Sequence, residues 1–376
     1  MPSSTARRIA ASPAAQPSLP DELLEDIFLR LDDGEDLVRA YASCFTFRRV
    51  VSGRRFLRRY HSLHPPPVLG FLAVASDGPF HPAEPPHRSA PAAAAVARAA
   101  DVALAFLSDP GRWSVRDARD GRVLISREAA AVSGDAFEEL IVYDPLHRRH
   151  IQICPIPGDL DSSASSANGI IFYEIRTLVF NSVTRKWRAV TSFAIIGTTA
   201  TFRWLSCQGR RHYSCSCFCW TGYGRKEMLV LDTREMKFSV ADLPRESYNQ
   251  MHSVVDAEEG RLGLLILVGS RKLLIYSKTW PDNGDGLKDW QCDNVIPLFD
   301  RNWFFSSGGA EGYAVLKAVA LYQNQIVGKK SDTQYFIVEI KTLMIKRLCS
   351  MKPGTDAPHY LYASFPPPLS LPSLRN

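Results

Sequence analysis

No stretch of this 376-residue chain approaches the roughly 20 consecutive apolar residues that a membrane span needs. The longest apolar run, Leu262–Val268, has the length of a strand, so no membrane partner is expected. A secretory signal is missing too: Arg7 and Arg8 precede Ala10–Pro17, which is too short and too interrupted by proline to be its apolar region. Residues 1–17 read instead as a disordered leader. There is no Asn-x-Ser/Thr acceptor. The 8 cysteines are too scattered for a disulfide scaffold, so the thiols read as free and the expected location is cytoplasm or nucleus.

Catalytic signatures are equally scarce. The chain has no Gly-x-Ser-x-Gly elbow, no Gly-Lys-Ser/Thr phosphate loop, no His-Glu-x-x-His and no dinucleotide fingerprint. Gly260-x-x-Gly263 precedes an apolar strand instead of following one and reads as a turn. Asp117 and Asp120 flank a hairpin signal at Gly121, where turn formation accounts for them better than acid–base chemistry. Cys215-x-Cys217-x-Cys219, with Cys207 and His212 upstream, offers zinc-ligand types but not zinc spacing. A single intervening residue is the strand period, which places small buried thiols on one face. The expectation is a non-catalytic protein without metal or cofactor.

What is present divides the chain in two. The 25 prolines and 23 glycines mark many turns, and the length exceeds a usual single core. In Leu19-Pro20-Asp21-Glu22-Leu23-Leu24-Glu25-Asp26-Ile27-Phe28-Leu29-Arg30-Leu31, helical spacing gathers Leu23, Leu24, Ile27, Phe28 and Leu31. Pro20 suits the first helical position, and Asp21 and Glu22 complement the helix dipole. Asp32-Asp33-Gly34 ends this helix. Asp36 is placed to cap a second one carrying Leu37, Val38, Tyr41 and Phe45, and a third apolar set spans Phe47 to Tyr60. So small a unit cannot cover all these side chains itself, which leaves them to be covered by a partner or by the C-terminal domain of the same chain. Eight acidic residues lie between Asp21 and Asp36 and seven arginines between Arg39 and Arg59. Without a nucleic-acid motif, that asymmetry reads as mutually balancing helix faces and no nucleic acid is expected.

Residues 65–110 turn to proline and alanine and read as an extended linker. Beyond Gly111 short apolar runs alternate with turn signals, including Ile170–Ile175, Thr177–Phe180, Met228–Leu231 and Tyr335–Ile340. A β run ending in a polar turn recurs at Asp144, Asn181 and Asp232, 37 and 51 residues apart, with a weaker copy at Val338–Thr342. Such a period fits propeller blades, about five or six of them over residues 111–365, with a β-sandwich pair as the alternative. Residues 366–376 read as a flexible tail. Aromatics at Trp303, Phe304 and Phe305, and at Trp220 and Tyr223, are the candidate binding anchors on loops, with packing between blades as their bland reading.

Leu-Pro-x-Glu-Leu-Leu-x-x-Ile-Phe-x-x-Leu, then Asp36-Leu37-Val38, Ala42-Ser43-Cys44 and Phe47-Arg48-Arg49, resembles the F-box, here placed at 18–64. Phe56-Leu57-Arg58-Arg59-Tyr60 and Leu63–Phe71 resemble grass F-box proteins in particular, and Trp113–Leu124 with Tyr143-Asp144-Pro145 resembles the first blade of their propeller-like domain. Phe47 departs from the Trp found in many members. The resemblance implies a multidomain protein: an all-α three-helix F-box followed by an all-β propeller-like domain. It implies a substrate receptor of an SCF (Skp–cullin–F-box) ubiquitin ligase, with a Skp-type adaptor, a cullin scaffold and a target protein as partners. Leu19, Pro20, Leu23, Leu24, Ile27, Leu31, Leu37 and Val38 match positions that pack on the adaptor. A non-degradative scaffold or lectin-like binder with an uncoupled F-box is the alternative.

Overall fold

The computed structural model describes residues 19–73, 80–99, 106–107, 113–127, 139–157, 164–167, 170–197, 210–221, 224–257, 261–280, 289–299, 301–306, 312–320, 333–351 and 359–369. The expected leader and Tyr223 lie outside them. The described residues form two compact units, one of residues 19–64 with 366–369 and one of those between 65 and 365.

The first unit has four helices, not the expected three: α1 (Asp21–Phe28), α2 (Gly34–Ser43), α3 (Phe45–Val51) and α4 (Arg54–Leu63). The apolar set from Phe47 to Tyr60 is cut at Ser52-Gly53, where Gly53 in extended conformation opens α4. Pro20 is the residue before α1, and the Leu23 and Leu24 amides donate to its carbonyl. Asp33, not Asp36, caps α2 by accepting the Glu35 amide at 2.8 Å.

The second unit is an all-β propeller. Five sheets follow one another along the chain as antiparallel meanders, the five blades. They are β3 to β6 (Trp113–Arg119, Arg122–Arg127, Glu139–Asp144, Arg149–Ile153), the three-stranded β7 to β9 (Ala164–Ala167, Ile170–Asn181, Lys186–Gly197), and β10 to β13 (Arg210–Ser214, Cys217–Thr221, Glu227–Asp232, Lys237–Asp242). Then come β14 to β17 (Met251–Asp256, Leu262–Val268, Lys272–Lys278, Gln291–Pro297) and β18 to β21 (Arg301–Phe305, Tyr313–Ala320, Thr333–Glu339, Met344–Met351). The expected strands Ile170–Ile175 and Thr177–Phe180 are one strand, β8. This series of small sheets excludes the two facing sheets of a sandwich.

Described parts of the expected linker, residues 65–110, are built into the domain. They contribute β1 (Val68–Ala73), β2 (Phe80–Pro82) and a helix, α5 (Ala90–Ala99), and β1 pairs on its other side with β22 (His359–Ala363). This sheet, in the order β2-β1-β22, joins the two ends of the domain. Phe71, Leu361 and Tyr362 pack with Val123, Ile125 and Tyr143 of the first blade and Tyr335, Ile337 and Leu348 of the last. The ring is thus closed by apolar burial as well as by the strand ladder.

The recurring turns have a local cause. Asn181 Oδ1 accepts the amides of Val183 and Thr184 at 2.9 Å each, and Asp232 Oδ1 those of Arg234 and Glu235 at 2.7 and 3.1 Å. Asp144 accepts the His147 amide at 3.1 Å. Four residues after each, Arg148, Arg185 and Met236 are left-handed, with φ of 52°, 54° and 53°. The weaker copy shares the geometry, with Leu343 at φ 55° four residues after Glu339. These turns join the last two strands of the first, second, third and fifth blades.

Cys217 and Cys219 are fully buried on β11, between Met228 and Val230 of their own sheet and Leu262 and Leu264 of the next. Cys215 does not share their strand: with Ser216 it forms a tight turn in which both residues are left-handed, at φ 51° and 61°. Asp256, at the end of β14, steadies that turn by accepting the Ser214 hydroxyl at 2.8 Å and the Cys215 amide. Burial and the nearby Asp256 push the Cys215 thiol up to about 12, so it stays protonated at neutral pH. Asp256→Ala orphans both donors and is expected to lower stability by about 1–3 kcal/mol, read as the urea midpoint of the full chain. Among the described residues no group of three or more His, Cys, Asp and Glu is placed to hold a metal ion, and no helix is long and apolar enough to cross a membrane.

His87, between β2 and α5, is buried and accepts the Ser89 amide on Nδ1 at 3.2 Å. Desolvation, then Arg88 and Lys346, lower its pKa to about 4 against the opposing influence of Glu339. The folded form therefore binds the proton more weakly than the unfolded chain. This stabilisation is complete above about pH 6.5 and is lost as pH falls from there through about 4. His87→Gln is expected to flatten that part of the stability–pH curve, measured as urea midpoints between those limits.

Candidate functional site: the exposed apolar stripe of the first helix

At about 100° per residue, the apolar side chains of α1 cover too wide an arc to face one neighbour. The arc splits in two. Leu24 and Phe28 turn inward, 4% exposed each, and Phe28 meets Phe47 edge-on at 5.0 Å and Phe56 at 6.4 Å. Leu37, Val51, Phe56 and Tyr60 complete this core. Leu23 and Ile27, four residues apart on α1, turn outward and remain 50% and 47% exposed, and Leu19, ahead of the helix, is 51% exposed.

Of the eight positions matched to adaptor contacts, these three and exposed Pro20 are open to solvent, and Leu31 and Val38 are half-buried. Leu24 and Leu37 are buried in the unit, Leu37 wholly enclosed, so neither is presented on its free surface. Phe45, expected on the apolar face of the second helix, lies at the first turn of α3 and is 77% exposed. Its exposure was not anticipated from the sequence. The signal was Cys44, which ends α2 and whose thiol then accepts the Phe47 amide at 3.5 Å to start α3.

Side chains of α4 and of His64, the residue that follows it, hold the end of α1. Tyr60 donates its hydroxyl to the Leu31 carbonyl at 3.0 Å, and His64 Nε2 donates to the Leu29 carbonyl at 2.8 Å. Carbonyls at a helix end, lacking intrahelical partners, are thereby satisfied. Burial, reinforced by Asp33, Asp32 and Asp36, pushes the Tyr60 hydroxyl up to about 12, which keeps it a donor. The charge asymmetry resolves into pairs: Arg49 grips Asp21 through both carboxylate oxygens at 2.7 and 2.8 Å, and Arg59 meets Glu25 at 3.3 Å. These pairs are solvent-exposed to half-exposed, so each orients helices more than it stabilises them. Covering the exposed halves of Leu19, Leu23 and Ile27 would contribute roughly 2–5 kcal/mol together.

The aromatic anchors expected on the propeller that are among the described residues lie on two different sheets. Trp303, Phe304 and Phe305 lie on β18 and not on a loop. Trp303 and Phe305 are core residues, Trp303 lying 4.9 Å from Phe336, and only Phe304 is exposed. Trp220 sits half-buried on β11 of another sheet, among Phe218 and Phe238.

Among solved structures, the chain is similar to TolB from Acinetobacter baumannii, at 13% identity over 73% of this chain and 62% of that one, with a TM-score of 0.34. It is similar to an oligogalacturonate lyase from Vibrio parahaemolyticus, at 11% identity over 63% of this chain and 65% of the lyase, with a TM-score of 0.32. A third is the β-propeller domain of Cps50 (Swd1) from Myceliophteria thermophila, at 9% identity over 67% and 75% of the two chains, with a TM-score of 0.29. The chain spans less than two thirds of the lyase and of TolB, and at such scores the blade assignment rests on strand order and packing. No curated protein sequence matches. The F-box-like family model matches residues 16–63, so the four-helix unit with its outward stripe is an F-box-like domain, and a propeller follows it in the chain.

Proposed function

We propose that the chain is the substrate-recognition subunit of an SCF-type ubiquitin ligase, docking a Skp-type adaptor on the stripe Leu19–Leu23–Ile27 and a target protein on the propeller. The observation that carries this reading is an apolar stripe left half-exposed on a helix whose other side is a packed core, within a segment that matches the F-box-like family. Such a row of large aliphatic side chains favours a protein partner over solvent. The chain itself then performs no chemistry. It brings a target close to the enzyme that transfers ubiquitin, raising the effective concentration of the reacting groups. A cytoplasmic or nuclear location accompanies this role.

The test is affinity capture with the proteasome blocked, comparing the intact chain with one lacking Ser18–His64. Adaptor and cullin are expected with the intact chain alone, and targets should accumulate only when degradation is prevented. Recovery of a stable target with neither adaptor nor ubiquitin conjugates would point to a non-degradative scaffold and contradict the proposal.

A further inference from the structure

The F-box-like unit is not built from N-terminal residues alone. Pro366–Leu369, expected to be part of a flexible tail, belongs to it. Pro367–Leu369 makes one 3-10 turn, closed by the Leu369 amide donating to the Pro366 carbonyl at 2.8 Å. Leu369 is completely buried. Its carbonyl accepts from His61 Nε2 of α4 at 2.8 Å, across 308 residues of sequence. A β-carbon built on Gly34, the first residue of α2, would lie 3.7 Å from the Leu369 side chain and 3.9 Å from Pro366. The segment therefore packs beside Gly34 at the start of α2 in ordinary van der Waals contact, and bonds to α4 as well.

We propose that Pro366–Leu369 is an intramolecular ligand of the F-box-like unit, so that adaptor docking depends on an intact C-terminal segment of the same chain. The proposal rests on the adaptor reading above. Its physical basis is size: helices this short enclose little apolar area, and a unit of this length is marginal without added contacts. One wholly buried leucine is a large share of such a core. Its loss frees the first turn of α2 and the end of α4, and Tyr60 of α4 and His64 just after it supply the donors that hold the end of α1. The stripe would keep its residues and lose its support. Trimming of the chain after Phe365 would by this route detach the receptor from the ligase while leaving the propeller intact.

Leu369→Ala, with Leu369→Met as the conservative control, tests this in the full chain. Two readouts are needed: affinity for a purified Skp-type adaptor and amide hydrogen exchange. Leu369→Ala is expected to weaken adaptor binding about tenfold or more. It should also speed exchange in α2 and α4, with β12 and β15 unchanged and Leu369→Met close to the parent. Unchanged exchange in α2 and α4 would overturn the proposal, as would faster exchange with unaltered adaptor affinity. Failure of the adaptor reading looks different: the parent chain itself would then bind no adaptor.

Discussion

With Leu23→Asp and Ile27→Asp together, binding to a Skp-type adaptor is expected to fall at least about a hundredfold while the helical unit stays folded. Both side chains are about half exposed, and surface changes of this kind usually shift stability by only about 0.5 kcal/mol. Against a partner the situation reverses. The aliphatic contribution is lost, and two carboxylates must be desolvated in an apolar contact without cations, which adds a penalty of the same sign. Each 1.4 kcal/mol is about tenfold, so a loss of about 3 kcal/mol is enough. Leu24→Asp separates surface from core. It too should abolish binding, but by unfolding the unit, visible as lost helical circular dichroism, because Leu24 is enclosed.

The second large effect is expected on the propeller. Gly70→Ala should destabilise that domain by on the order of 3–5 kcal/mol, seen as a large drop in urea midpoint or as loss of soluble protein. Gly70 sits in β1, the middle strand of the closing sheet, with φ of +154°. A β-carbon there would lie 2.2 Å from the His81 carbonyl oxygen and 2.9 Å from the Phe80 ring. The strand cannot retreat, because Gly70 pairs with Pro82 on one side and Tyr362 on the other. Gly269 is the control: it is left-handed, at φ +57°, with nothing within 4 Å of an added β-carbon. Gly269→Ala should therefore cost only about 1–2 kcal/mol of backbone strain. Equal losses at the two positions would contradict the role assigned to close packing in the closing sheet.

How much of this was legible in sequence follows from how local each cause is. The turns at Asp144, Asn181 and Asp232 were readable because a side-chain oxygen capping its own next amides needs nothing distant. The start of α1 was readable because its cause is also local, the Leu23 and Leu24 amides donating to the carbonyl of Pro20 just ahead of the helix. Closure of the propeller was not: β1 pairs with a strand almost 300 residues away, and the prolines around it imitate a linker. Trp303-Phe304-Phe305 resembled a loop because Ser and Gly follow it. The alternation that buries Trp303 and Phe305 while exposing Phe304 is strand geometry, decided by neighbouring sheets. At the site itself, periodicity showed a broad apolar arc on α1. It could not divide Leu24 from Leu23, since that division depends on where Phe47 and Phe56 come to lie.

The most direct test of the adaptor-docking account is amide hydrogen exchange of the full chain with and without a purified Skp-type adaptor. The account predicts slowed exchange concentrated in α1, extending to the part of α2 that carries Val38, with the propeller strands unchanged. Binding that leaves α1 exchange untouched, or protection confined to the propeller, would contradict it.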